Sequence, residues 1–200
     1  MWRAASLAAV FGLALTGGAF AVGDVPPACL TPATDLDMTL SGLERDGWIA
    51  VPDGTLTPEV RDLLVWSYVS DYLIGDTGGE DVQRLLSLQL GTVDALARKR
   101  DIPGSKARLL QQDGGALAVF WRVATPETLE IQCRAVRLSP EYPASADLMD
   151  AGAVQAVPDG TVQTIVLNLD GIDASIDDAP VGGPLLVGHS LIRFAGVPAL

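Results

Sequence analysis

Apolar residues recur at helical spacing in the first half of the chain. Leu36, Leu40 and Leu43 lie at positions i, i+4 and i+7. This spacing predicts a short helix that is capped by Thr34 or Asp35.

Two longer helices follow in the pattern. Thr57, Pro58 and Glu59 form a strong helix start, because threonine caps, proline suits the first helical position and an acid meets the positive end of the dipole. The predicted helix extends to about Ile74, and its apolar surface is too wide for a one-sided helix, which predicts a central, mostly buried element. Residues 82–100 predict a second long helix that ends in a basic cluster.

In the next part of the chain, apolar residues recur at every second position, which is the spacing of a β-strand. The segments "ARLLQQ", "ALAVFWRVA" and "LEIQCRAVRL" are separated by residues 113–115 and 125–128, which have tight-turn composition. The pattern predicts a three-stranded antiparallel meander. In its last strand Leu129, Ile131 and Cys133 share one face, so the cysteine points into the core.

The C-terminal part carries further strand patterns. Residues 139–160 are rich in Pro, Ala, Ser and Asp and predict a linker-like boundary between a 22–138 core domain and a 161–200 β extension. The extension is too short to fold alone, so we expect it to pack on the core or to extend its sheet. The predicted class is α+β, with two long helices packed on an antiparallel meander and additional C-terminal strands.

The N-terminus has the pattern of an export signal. Arg3 precedes the apolar run "AASLAAVFGLAL", and Ala19 and Ala21 give the A-x-A pattern that signal peptidase cleaves. The run is shorter than the 20 or so apolar residues of a spanning helix. We therefore predict a signal peptide over residues 1–21 and a periplasmic or secreted protein, with an uncleaved anchor as the alternative.

The chain has two cysteines, Cys29 and Cys133. The prolines of "VPPAC" disfavour a lipid anchor at Cys29, and a chain with one histidine and no C-x-x-C has few ligands for a metal. In an oxidising compartment the pair predicts a disulfide. Closing a loop of about 100 residues would stabilise the fold by about 4 to 5 kcal/mol.

The charge balance restricts the partners. The formal net charge is −12, and removal of residues 1–21 takes away Arg3 but no acid, which makes it −13. Such a chain repels phosphate backbones and anionic lipid surfaces. We therefore expect no nucleic-acid partner. Since no later window approaches transmembrane length, we also expect no membrane span after signal cleavage.

One stretch resembles a catalytic motif. "VGHSLI" approaches the G-x-S-x-G nucleophile elbow at Gly188 and Ser190, but Ile192 stands where the elbow needs glycine. His189 is the only histidine, and it cannot serve as the elbow's own x residue and as the separate base. We expect His189 to be an ordinary, partly exposed strand residue, with a ligand-contacting or pH-sensitive role as the alternative.

An acidic loop near the C-terminus resembles a calcium loop. Its oxygen-bearing residues are Asn168, Asp170, Asp173 and Asp177. With Gly171 at the sixth position of such a loop, Val166 falls at the first, where a carboxylate is required. A solvated turn cluster is the preferred interpretation, so we expect no metal and no cofactor.

The layout resembles small exported proteins of alphaproteobacteria. The residues that carry the resemblance are the cysteine soon after the signal, Gly47 and Trp48 after a first helix, two long helices and the hairpin with Cys133. The resemblance implies an exported location and no activity.

The inventory of residues is poor in catalytic groups, and no catalytic residue can be identified. The leading hypothesis is a non-catalytic periplasmic protein that binds an unidentified protein or small-molecule partner. The alternatives are a carboxylate-based hydrolase, which needs two acids in one cleft, and a structural module of the cell envelope.

Overall fold

The computed structural model describes residues 25–73, 82–98, 101–139, 149–169 and 184–196. The helices among them are α1 (Leu36–Arg45), α2 (Pro58–Leu73) and α3 (Val82–Arg98), and a short 3₁₀ helix, Pro27–Leu30, precedes α1. No helix in these ranges is long and apolar enough to cross a membrane.

The first two helices begin at the residues that the sequence indicates. The carboxylate of Asp35 accepts a hydrogen bond from the backbone N–H of Met38 at 2.8 Å and caps α1. The hydroxyl of Thr57 accepts from the backbone N–H of Val60 at 3.3 Å, one turn into α2. Each side chain satisfies a backbone donor that has no partner within the helix.

The described strands form one antiparallel sheet. They are β1 (Ile49–Ala50), β2 (Asp101–Ile102), β3 (Ser105–Gln112), β4 (Gly115–Thr125), β5 (Thr128–Leu138), β6 (Met149–Ala151), β7 (Gln155–Val157), β8 (Gly160–Asn168) and β9 (Pro184–Ala195). The order is β1-β3-β4-β5-β9-β8-β6, with β2 beside β3 and β7 beside β8.

The α+β class is confirmed, but the picture of two helices on a meander fits only loosely. The short helix predicted before the two long ones is α1. The strands β3, β4 and β5 are consecutive neighbours, yet the sheet continues from β5 to β9 and β8. The C-terminal strands therefore extend the sheet. The strand β5 takes this central place because it is buried on both faces and pairs along both edges.

Each face of the sheet carries its own apolar core. On the face that we call the helix face, α2 packs on β4 and β5, and α3 packs on α2. The core on this face includes Leu63, Leu64, Val93, Ala118, Val136, Ile165 and Val187. On the opposite face, which we call the disulfide face, the residues before α1, α1 itself and Trp48 form the cover. That core includes Val25, Cys29, Leu36, Leu43, Leu117, Ile131 and Cys133.

Candidate functional site

The two cysteines form the predicted disulfide. Cys29 lies in the 3₁₀ helix and Cys133 in β5, with their Cα atoms 5.8 Å apart, and both side chains are fully buried. The hydroxyl of Ser190 on β9 donates to the carbonyl of Cys29 at 3.2 Å. The segment before α1 is therefore attached to two neighbouring strands, covalently to β5 and by a hydrogen bond to β9.

The end of α1 positions an indole on the same face. The backbone N–H of Gly47 donates to the backbone carbonyl of Glu44 at 3.1 Å, and that of Trp48 donates to the backbone carbonyl of Leu43 at 3.0 Å. Gly47 has φ +88°, a conformation that a residue with a Cβ rarely adopts. This pair of bonds is the Schellman motif, which ends the helix and places Trp48 over the sheet.

A pocket of about 310 Å³ opens beside Trp48. We call it the Trp48 pocket; its lining includes Pro26 and Pro27 from the disulfide-linked segment and the buried Ala135 and Leu186 from β5 and β9. The tight turn between β3 and β4 also contributes to the lining. The pocket thus forms where the N-terminal segment, the end of α1 and the sheet meet.

The same pocket contains charged groups. Asp46 and Asp113 line it together with Gln112, whose side-chain N–H₂ donates to the carbonyl of Asp46 at 3.5 Å. Among the described residues neither Asp46 nor Asp113 has a hydrogen bond or ion pair through its carboxylate. Arg137 on β5 also lines the pocket. An apolar lining with a few polar groups is the usual composition of a small-molecule site.

A second polar cluster lies on the helix face, where the end of α2 meets the sheet. Arg134 of β5 donates to the carboxylate of Asp71 at 2.5 and 3.2 Å and to the carbonyl of Ser67. Its guanidinium also lies 4.3 Å from the ring centroid of Tyr68. His189 of β9 completes the cluster, with its Nε2 atom 3.0 Å from Arg134.

The environment of His189 keeps its ring neutral. Burial, and then the charge of Arg134, lower its pKa from 6.5 to about 4, while Asp71 acts in the opposite direction. Arginine can only donate, so Nε2 must accept, and the proton sits on Nδ1, which lies 3.5 Å from Asp71. Burial also raises the pKa of Tyr68. Because the Nε2 lone pair of His189 accepts from Arg134, the cluster leaves no free base. The ion pair between Arg134 and Asp71 fixes α2 to the sheet.

The structure places the residues of the motif-like stretch on strand β9. Gly188, His189 and Ser190 lie within one continuous strand, whereas a nucleophile elbow is a sharp turn between a strand and a helix. His189 is partly exposed, as expected, with 18% of its side chain accessible. Its contact with Arg134 depends on the register between β5 and β9, in which the two residues are directly opposite, and its contact with Asp71 depends on how α2 crosses the sheet. Neither contact could be anticipated from the local sequence.

Of the calcium candidates, Asn168 ends β8, and Asp170, Asp173 and Asp177 lie outside the described residues. Within the part of the chain that the structure describes, no group of three or more His, Cys, Asp or Glu side chains could hold a metal ion.

The Trp48 pocket was not predicted from the sequence. Its lining residues come from five segments, and only the turn composition around Asp113 and the pair Gly47-Trp48 gave a local signal. Comparison of the chain with protein-family models, with curated proteins and with solved structures found no match.

Proposed function

We propose that this protein is exported to the periplasm, or secreted, after removal of residues 1–21, and that it binds a small ligand in the Trp48 pocket without catalysing a reaction. The observation that carries the proposal is a pocket that combines apolar side chains with two carboxylates lacking a partner among the described residues. The disulfide supports the location, because such bonds persist in oxidising compartments.

The lining favours a compact ligand with an apolar body and an amino group. Trp48, Leu186 and the two prolines offer apolar surface, and an indole also attracts cations. Asp46 and Asp113 would accept hydrogen bonds from an ammonium group. The pocket volume of about 310 Å³ is at the lower end of the range for small-molecule sites.

A carboxylate-based hydrolase is the second candidate, because Asp46 and Asp113 line one pocket. Glycoside cleavage uses such a pair, with one carboxyl kept protonated by an apolar environment. Both residues are exposed here, which favours binding over acid catalysis. A structural envelope module would need no pocket.

The test is a screen of aliphatic and aromatic amines against the exported, oxidised protein, followed by thermal shift and tryptophan fluorescence. We expect a ligand whose affinity falls at least tenfold in Asp46→Asn with Asp113→Asn. The matched control is Glu127→Gln, which removes a charge in the turn at the opposite end of β4 and β5. Failure of every amine to bind, or equal weakening in the control, would contradict the proposal, and turnover of a glycoside would favour the hydrolase.

A further inference from the structure

A row of three charged side chains crosses the sheet beyond the end of α2. Arg122 on β4 is directly opposite Glu130 on β5, and Glu130 is directly opposite Arg193 on β9. Glu130 lies four residues from Arg134 on the same strand, so the row is on the helix face. The distance along the strand between these two residues is about 13 Å. The row is therefore on the opposite face from the Trp48 pocket.

The central carboxylate is buried and the two cations are exposed. The side chain of Glu130 is 1% accessible, whereas those of Arg122 and Arg193 are 53% and 58% accessible. The Nε atom of Arg122 approaches Oε1, and the Nε atom of Arg193 donates to Oε2 at 2.7 Å. One carboxylate thus holds two guanidinium groups, one through each of its oxygens.

This arrangement leaves the row with unused N–H donors and a net positive charge. Burial works against the ionised form of Glu130, but its bonds to Arg122 and Arg193 outweigh that effect and lower its pKa, so the group is a carboxylate at neutral pH. The row then carries two positive charges and one negative charge. The Nη groups of both arginines make no hydrogen bond to any of the described residues.

We propose that Arg122 and Arg193 form a binding site for a small oxyanion, such as the phosphate, sulfate or carboxylate group of a ligand. A guanidinium presents its donors as a planar fork that matches two oxygens of such a group. Glu130 is a positioning residue, since it holds both side chains at their Nε atoms and leaves the Nη donors for the ligand. The strongly acidic chain offers little long-range attraction for anions, so recognition depends on this local pair.

The experiment uses the exported, oxidised protein at low ionic strength. Inorganic phosphate and succinate are titrated separately while the ¹⁵N resonances of the arginine Nε groups are followed by NMR. We expect the resonances of Arg122 and Arg193 to shift together in a saturable manner. Arg122→Gln and Arg193→Gln should each weaken binding at least fivefold, and Arg122→Lys should restore only part of it, because an ammonium lacks the fork.

The control is Lys106→Gln, which removes one positive charge on the opposite face, where Lys106 pairs with Trp121. Equal weakening in this control, or no saturable shift with either anion, would overturn the proposal. The wild-type resonances decide the question even if an arginine variant fails to fold. Vesicles of phosphatidylcholine with and without phosphatidylglycerol identify the source: binding that requires both arginines assigns the oxyanion to a lipid headgroup, and vesicle binding that the variants leave unchanged counts against the site.

Discussion

The two faces of the sheet hold their covers by different means. On the helix face, α2 and α3 contribute a large apolar core, and Arg134 adds an ion pair with Asp71 at the end of α2. On the disulfide face, the residues before α1 form a short irregular segment, which is joined to β5 through Cys29 and Cys133. Two packed helices bury enough apolar surface to stay in place. For a short segment without a cross-link, the conformational entropy lost on ordering outweighs the free energy gained by burying its few apolar side chains.

This difference matters for the proposed binding site. Pro26 and Pro27 line the Trp48 pocket and lie within three residues of Cys29. The pocket is therefore complete only when the covalently attached cover is in place. Changes on the two faces should consequently affect stability and ligand binding in different ways.

Loss of the disulfide should have the largest effect. Cys29→Ala with Cys133→Ala removes a link between residues that are 104 positions apart. By the loop-entropy model, this lowers the free energy of unfolding by about 4 to 5 kcal/mol. The melting temperature should fall by about 10 °C or more, while the helix-face core keeps the chain folded. Intact mass with and without reductant, followed by thermal melts, measures this.

Amide exchange then locates the change. Residues 25–35 should lose protection while α2 keeps it, because only the first segment depends on the link. Two free thiols in protein recovered from the periplasm, or identical melts of the two forms, would contradict the assignment.

A cavity on the helix face should cost somewhat less but act on the whole molecule. Leu64 is fully buried in α2, and Leu64→Ala should lower the free energy of unfolding by about 2 to 5 kcal/mol. Leu88→Ala on the exposed side of α3 is the matched control and should change it by no more than about 0.5 kcal/mol. Urea unfolding measures both, and similar losses in the two variants would show that α2 and α3 do not form the main core.

Acid should weaken the helix face through His189. Its folded pKa, about 4, lies below its ordinary value of 6.5, so the unfolded chain takes up a proton that the folded chain refuses. The contribution of His189 to the free energy of unfolding is then constant above pH 6.5. It falls as the pH drops towards 4, by about 3 kcal/mol in total. The measurement is urea unfolding at pH 7 and at about pH 4.5, near the folded pKa.

His189→Gln separates this effect from that of the carboxylates. Glu130 also has a lowered pKa, so its contribution is lost as well when the pH falls, in the variant as in the wild type. We expect the wild type to lose about 2 to 3 kcal/mol more than the variant between the two pH values. Equal losses would mean that His189 is protonated in the folded protein, with Asp71 dominating its surroundings.

Local features of the fold could be predicted from the sequence because short-range chemistry determines them. The cap at Asp35, the start of α2 after Thr57 and the inward position of Cys133 follow from residues within a few positions of one another. The disulfide followed from a count of two cysteines and the expected compartment.

The arrangement of distant segments could not be predicted in the same way. Glu130 and Arg134 alternate with apolar residues on β5, a pattern that is typical of a strand with one polar face. The structure buries both residues, because ion pairs with Arg193 and Asp71, each 63 positions away, compensate their charges. Neither pairing has a local signal, and the Trp48 pocket arises from several such long-range placements.

The smallest expected effect tests how closely α1 packs on the cross-linked segment. A Cβ at Gly42 would lie 2.7 Å from the Cβ of Ala28, whereas a Cβ at Gly91 on α3 would meet nothing within 4 Å. Gly42→Ala should therefore destabilise the protein by about 1 kcal/mol, since crowding outweighs the gain in helix propensity, and Gly91→Ala should stabilise it by up to about 1 kcal/mol. In the variant without cysteines the first penalty should shrink, because the segment carrying Ala28 can then move away from α1. Urea midpoints are measured for the wild type, the two glycine variants, the variant without cysteines and the same variant with Gly42→Ala. A penalty at Gly42 that is unchanged without the disulfide would show that packing alone holds the segment against α1.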